Sequence, residues 1–186
     1  MFRNAVQLSH FYLERAIKPG CILVDATMGN GHDTVFLAEL AGEQGKVYAF
    51  DVQAQALVAT RNRLEKKQLL DRVSLILDSH ENMAKYVSKG VQAISFNLGR
   101  LPGSDFSVYT QAKSTIAAIE AGLLLLKPGG LISLAAYWGD EICRQEYFAV
   151  RQYLETLAPE RAEVLCHEFI NEPHYPPVFF AIFKPN

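Results

Sequence analysis

Four short apolar runs, each closed by a polar residue, constrain this chain more than any other feature. Cys21 to Val24 runs into Asp25, Lys46 to Phe50 into Asp51, Val73 to Leu77 into Asp78, and Val91 to Phe96 into Asn97. Runs of that length bounded by turn residues read as buried strands. Helical spacing covers about Asn4 to Ile17, where Lys18, Pro19 and Gly20 stop it, and Thr34 to Leu40, opened by Asp33 and closed near Gly42. It returns over Ala54 to Lys67, Thr110 to Leu126 and Glu141 to Leu157, with a fifth strand at Leu131 to Ala136. Five strands alternating with helices predict an α/β fold, a parallel sheet with helices on both faces. Two more strands, Glu163 to Ile170 and Val178 to Phe183, are separated only by Asn171 to Pro177. That is too short for a parallel crossover, so the sheet should end in an antiparallel hairpin.

At 186 residues the chain suits one domain, residues 1–186. Hydrophobic residues are 49% and charged residues 20%, with a net charge of −2, which disfavours disorder and a broadly basic nucleic-acid surface. No apolar run reaches membrane-spanning length, and Gln7, His10, Glu14 and Arg15 interrupt what would be the apolar centre of an export signal. Cys21, Cys143 and Cys166 are odd in number and far apart, which argues for reduced thiols in the cytoplasm and against a metal site.

In open parallel sheets ligands bind beyond the carboxyl ends of the strands, so Asp25, Asp51, Asp78 and Asn97 mark the expected site. The most specific segment is Asp25-Ala26-Thr27-Met28-Gly29-Asn30-Gly31-His32-Asp33-Thr34, whose glycines allow a sharp turn and close approach to a ligand. Thr34 stands where a dinucleotide fingerprint has its third glycine. Asp51 follows Gly31 by 20 residues, the offset at which a carboxylate meets a ribose. Together these point to an adenosine ligand without a pyrophosphate. His32 and His80 are the histidines nearest these loops, whereas His10, His167 and His174 read as ordinary helix-face, strand or loop residues.

The glycine segment, with Phe96-Asn97-Leu98-Gly99-Arg100-Leu101-Pro102-Gly103 and Phe169-Ile170-Asn171 before Pro176-Pro177, resembles the putative rRNA methylase family, now associated with bacterial 5-aminomethyl-2-thiouridine methylation in tRNA. The resemblance spans nearly the whole chain. It implies a Rossmann-like class I methyltransferase fold, a seven-stranded mostly parallel sheet with a C-terminal antiparallel hairpin, and S-adenosyl-L-methionine as cofactor. It also implies methyl transfer to the aminomethyl nitrogen of the wobble uridine. Carried over by position, Asn30 and Gly31 line the methionine part, Asp51 holds the ribose, Gln53 lies beside the adenosine, and Asp78, Ser79 and His80 flank the adenine. Asp25, Thr27, Gly29 and His32 complete the cofactor set, and Asn97 faces the transferred methyl as the catalytic residue. An amide oxygen can accept from an amine and point its lone pair at the methyl. If the amine arrives protonated, His32, Asp33 and His80 are the candidate bases.

Two positions depart from the family pattern: Arg100 stands where Tyr is usual, and Asp140-Glu141-Ile142-Cys143 follows Tyr137-Trp138-Gly139 in place of a His and a second glycine. Arg100, Tyr137 and Trp138 are the expected substrate-binding residues, since guanidinium and aromatic planes both stack on bases. Arg61, Arg63, Lys66, Lys67 and Arg72 offer either phosphate contacts or a solvated helix face. The expected partner is a tRNA anticodon stem-loop, and a homodimer would enlarge the footprint. The alternatives are methylation of rRNA or of a small amine, or a non-catalytic protein that binds S-adenosylmethionine.

Overall fold

The computed structural model describes residues 4–100 and 108–186; the expected Leu101-Pro102-Gly103 segment lies outside the described residues. Asn4 accepts from the Gln7 amide at 2.9 Å and so caps α1, Ala5–Ala16. Then come β1 (Ile22–Asp25), α2 (His32–Ala41), β2 (Lys46–Asp51), α3 (Ala54–Lys67), β3 (Val73–Leu77), β4 (Val91–Asn97), α4 (Ala112–Leu125), β5 (Leu126–Ala136), α5 (Glu141–Glu155), β6 (Glu163–His167) and β7 (Val178–Phe183). Short 3-10 turns at Leu70–Arg72 and His80–Lys85 flank β3. The sheet order is β3-β2-β1-β4-β5-β7-β6. β1 to β5 run parallel, and β7 pairs antiparallel with both β5 and β6. The mostly parallel seven-stranded sheet with its terminal hairpin is therefore the one expected from the sequence.

Strand alternation sorts side chains to the two faces. Leu23, Val47, Ala49, Ala93, Leu131 and Phe179 pack with buried residues of α1, α2 and α3, whereas Val24, Phe50, Ile94, Phe96, Ile132 and Phe180 pack with α4 and α5. Amphipathic spacing explains why α5 docks: Cys143, Glu146, Tyr147, Val150 and Leu154 form its buried stripe. The fully buried Phe50, Phe96, Phe179 and Phe180 contribute about 1.5–3 kcal/mol each in apolar burial.

Two boundaries differ by three residues or more: β6 stops at His167, short of the expected Ile170, and β5 starts early. Lys127, Pro128, Gly129 and Gly130 were expected to separate helix from strand, but β5 begins at Leu126. A register shift against β4 between Val91 and Ala93 absorbs the kink, and the glycines pair with the chain end: the Gly129 amide donates to the Lys184 carbonyl (3.0 Å) and the Lys184 amide to that of Gly130 (2.9 Å).

Candidate functional site

The parallel strands end on one side, where the chain beyond β1 turns sharply at Gly29 (φ +50°) and Gly31 (φ +80°). The bend continues the sheet's hydrogen bonding: the Ala26 amide donates to the Ser95 carbonyl and that of Met28 to Phe50, both at 2.9 Å. Two contacts from α3 hold its outer side. Thr60 Oγ1 donates to the Gly29 carbonyl at 3.0 Å and Arg63 Nε to that of Asn30 at 2.8 Å. A Cβ on Gly31 would lie 2.9 Å from the Thr60 Cα. Glycine is thus required there by close approach to α3. Gly31 accordingly caps α2 from behind and does not line the cavity.

Beyond the strand ends opens a cavity of about 340 Å³. Thr27, Gly29, Asn30, His32, Asp51, Gln53, Asp78, Ser79, His80, Asn97, Arg100 and Tyr137, all singled out from the sequence, line it. Asp25 and Trp138 do not. Asp25 is 1% exposed and lies under the bend, accepting from the Thr27 amide (3.2 Å) and from Thr34 Oγ1 (2.5 Å). Burial, with the neighbouring charge of Asp33, pushes its carboxyl up to about 7. Its place is that of a brace for the loop. Trp138 turns its indole N–H to the Pro176 carbonyl (2.8 Å) and packs against Tyr147 and Tyr175, which ties the end of β5 to the approach to β7.

Asp51 accepts from the Gly29 amide at 3.0 Å and from the Gln53 amide at 2.9 Å, so its carboxylate is fixed at the cavity floor with lone pairs to spare. Partial burial is the main reason that its carboxyl sits above the ordinary range. Asp78 is bound by the Ser79 amide, Asn82 Nδ2 and the Tyr86 hydroxyl, and the Asn82 and Tyr86 bonds hold its carboxyl down. His80 Nδ1–H donates to the Ala26 carbonyl at 3.1 Å, and burial holds the ring's pKa low. Nδ1 therefore carries the ring proton, and the buried Nε2 is an acceptor without a partner among the described residues.

Asn97 ends β4. Its amide N–H donates to Thr27 Oγ1 at 2.7 Å and its Nδ2 to Asp33 Oδ2, while its Oδ1 is buried with no partner among the described residues. The other Asp33 oxygen accepts from His10 Nε2 at 2.8 Å, and the His10 ring stacks on Phe36 with centroids 3.8 Å apart. His10, expected as a plain helix-face residue, thus reaches the site through Asp33. No local pattern on α1 announces this, because the contact exists only once α1 has packed. Val52, 58% exposed beside Asp51, also lines the cavity and was not singled out.

The opposite wall is pinned by a buried carboxylate. Glu146 on α5 accepts from Thr110 and Thr115, and Thr110 in turn joins Gly99 through its hydroxyl and its amide, at 2.8 Å each. Of the basic cluster, Arg63 is spent on Asn30, Arg72 reaches the Ala38 carbonyl (3.5 Å) and Lys67 pairs with Glu39 (3.5 Å). The solvated-face reading accounts for most of it.

The small residues at the bend, the fixed Asp51 carboxylate and the two orphaned acceptors at His80 and Asn97 suit an adenosine ligand with a polar, donor-bearing group beside it. Residues 47–183 match the family described as Putative rRNA methylase. The chain is 32% identical, over 99% of its own length and 71% of the relative's, to the chloroplastic tRNA (mnm(5)s(2)U34)-methyltransferase of Arabidopsis thaliana. It is 40% identical to a putative rRNA-methylase from Clostridium thermocellum, with a TM-score of 0.97 and 99% of each chain covered. A putative methyltransferase from Streptococcus mutans, solved in complex with SAH, is also 40% identical, with a TM-score of 0.91 and the same coverage.

Proposed function

The chain belongs to the Putative rRNA methylase family and is an S-adenosylmethionine-dependent methyltransferase, and from that premise we propose that its acceptor is the 5-aminomethyl nitrogen of the wobble uridine in tRNA. One observation carries this reading: the amide oxygen of Asn97, a cavity-lining residue, is buried with no partner among the described residues, beside the Asp33 carboxylate. A neutral amine brings N–H donors for that oxygen and a lone pair for attack. The full-length likeness to a tRNA wobble-uridine enzyme supports the same acceptor.

When bound, S-adenosylmethionine supplies a methyl group on a positively charged sulfur. In the proposal Asp51 accepts from the ribose hydroxyls, Asn30 lies along the methionine portion, and Gln53, Asp78, Ser79 and His80 surround the base. Asn97 accepts one hydrogen of the amine and so aims its lone pair. With the cofactor bound, its methyl would pass to that nitrogen while sulfur keeps the C–S pair, and the methylated nitrogen would release one proton to solvent. Holding reactants in line is worth about 7–11 kcal/mol, so alignment is the protein's main contribution. Arg100 and Tyr137, which both line the cavity, are assigned in the proposal to meet the target base. The proposal treats residues 1–186 as one domain, places it in the cytoplasm, consistent with the free thiols of Cys21, Cys143 and Cys166, and includes a homodimer that widens the RNA footprint.

The test is incubation of the pure protein with labelled S-adenosylmethionine and either tRNA bearing unmethylated 5-aminomethyl uridine or total rRNA, followed by mass spectrometry of the nucleosides. Label in 5-methylaminomethyl uridine of tRNA is expected. Label confined to rRNA, or binding without any product, would overturn the acceptor assignment.

A further inference from the structure

We infer that Asp33, steadied from behind by His10, is a positioning residue that fixes the orientation of the Asn97 side-chain amide, so that its nitrogen is committed to the protein and its oxygen is left for the acceptor amine. The inference rests on the acceptor-site reading of Asn97 given above. A terminal amide has two nearly isosteric orientations, and only hydrogen bonding distinguishes them. An ionised carboxylate is an acceptor only, so the Asn97 Nδ2 must face Asp33 Oδ2. The flipped amide would set two acceptor oxygens against each other.

Asp33 can impose this choice because it is itself held. Its second oxygen accepts from His10 Nε2 at 2.8 Å, and the His10 ring lies nearly parallel to Phe36, 12° apart, which limits its rotation. The Asp33 side chain is only 16% exposed and that of His10 33% exposed. Asn97 cannot slide away, since its backbone amide is tied to Thr27 Oγ1. Three elements thus converge on one amide: α1 through His10, α2 through Asp33 and β4 through Asn97 itself. What remains is the carbonyl oxygen of a cavity-lining residue, buried and without a partner among the described residues. Buried acceptors are rarely left unpaired in the working state, and a donor-bearing nitrogen completes this one.

A residue that acts only through Asn97 makes a specific prediction about coupling. In steady-state assays with tRNA bearing unmethylated 5-aminomethyl uridine, Asp33→Leu should lower kcat by about 100-fold, and adding it to Asn97→Ala should cost no more than about threefold beyond Asn97→Ala alone. Asp33→Asn, which keeps an oxygen for Asn97 Nδ2, should recover about tenfold of the loss, and His10→Ala should lower kcat by about tenfold. Calorimetry with S-adenosylhomocysteine should give a Kd within about threefold of the parent for every variant, because Asp33 is assigned no cofactor contact. Multiplying effects in the double variant, or full activity of Asp33→Leu, would overturn the inference and leave the Asn97 reading standing. Full activity of Asn97→Ala would remove that reading and the inference together. If Asp33→Leu does not fold, His10→Ala alone and combined with Asn97→Ala decides the coupling by the same comparison.

Discussion

Asp25 and Asp51 both follow apolar strands, yet their surroundings give them opposite tasks. Asp51 keeps free lone pairs at the cavity floor, whereas Asp25 is enclosed and braces the bend through Thr27 and Thr34. Burial, helped by the charge of Asp33, raises the Asp25 carboxyl from 3.8 to about 7. The native state therefore holds a proton that the unfolded chain has already lost between those two values. Its stabilising effect is complete below pH 3.8 and disappears as pH rises through about 7. A shift of that size corresponds to a few kcal/mol, at about 1.4 kcal/mol per pH unit. Asp25→Asn removes the titration while keeping an oxygen for the Thr27 amide and an N–H for the Thr34 hydroxyl. Urea denaturation should show the parent losing stability between pH 5 and pH 8 relative to the variant. Parallel pH profiles would mean that Asp25 stays ionised in the folded protein.

The element that makes the site is the link from β1 to α2, and it is built on Gly31. That residue is left-handed, at φ +80°, and its missing Cβ is where the Thr60 backbone of α3 comes to rest. Gly31→Ala should cost about 2–4 kcal/mol from the strained backbone and the contact together, and should weaken S-adenosylhomocysteine binding by moving Gly29 off Asp51. Trimming the neighbour in Gly31→Ala/Thr60→Ala should not restore the loss, because the Thr60 Cα itself lies 2.9 Å from the new methyl. Thermal melts and calorimetry of both variants check this, and rescue by the second substitution would refute it. The need for glycine at Gly31 was legible in the sequence, but its cause was not: a local pattern shows that a turn is wanted, never which distant helix presses on it. Strand ends at Asp25, Asp51, Asp78 and Asn97 were legible for the same local reason, since apolar runs closed by polar residues report burial directly. His10 and Trp138 were misplaced because their partners, Asp33 and Pro176, lie 23 and 38 residues away.

At the scale of the whole molecule, alternation predicted the sheet's class and the short Asn171 to Pro177 link predicted its terminal hairpin, but strand order had no local signature. Inserting β7 between β5 and β6 depends on which edge Phe179 and Phe180 can bury against, and they contribute to opposite faces of the sheet. The surface around that sheet sets how an RNA could be held. With 18 Lys and Arg against 20 Asp and Glu, and with Arg63, Lys67, Arg72 and Lys184 engaged within the protein, there is little broad positive field. Exposed Arg61 and Lys66 on α3 are placed to make local phosphate contacts, and Arg100 lines the cavity. Two to four such contacts give a log–log dependence of tRNA affinity on salt with a slope of about −1.5 to −3. Between 50 and 200 mM KCl the tRNA KM should rise by roughly 8- to 60-fold on that slope, while the KM for S-adenosylmethionine, which carries no phosphate, should change by less than about twofold. Steady-state assays across that salt range measure both. A slope near −6 would require an extended cationic face, and since the single chain shows none among its described residues, it would mean that cations from two chains are pooled on one RNA.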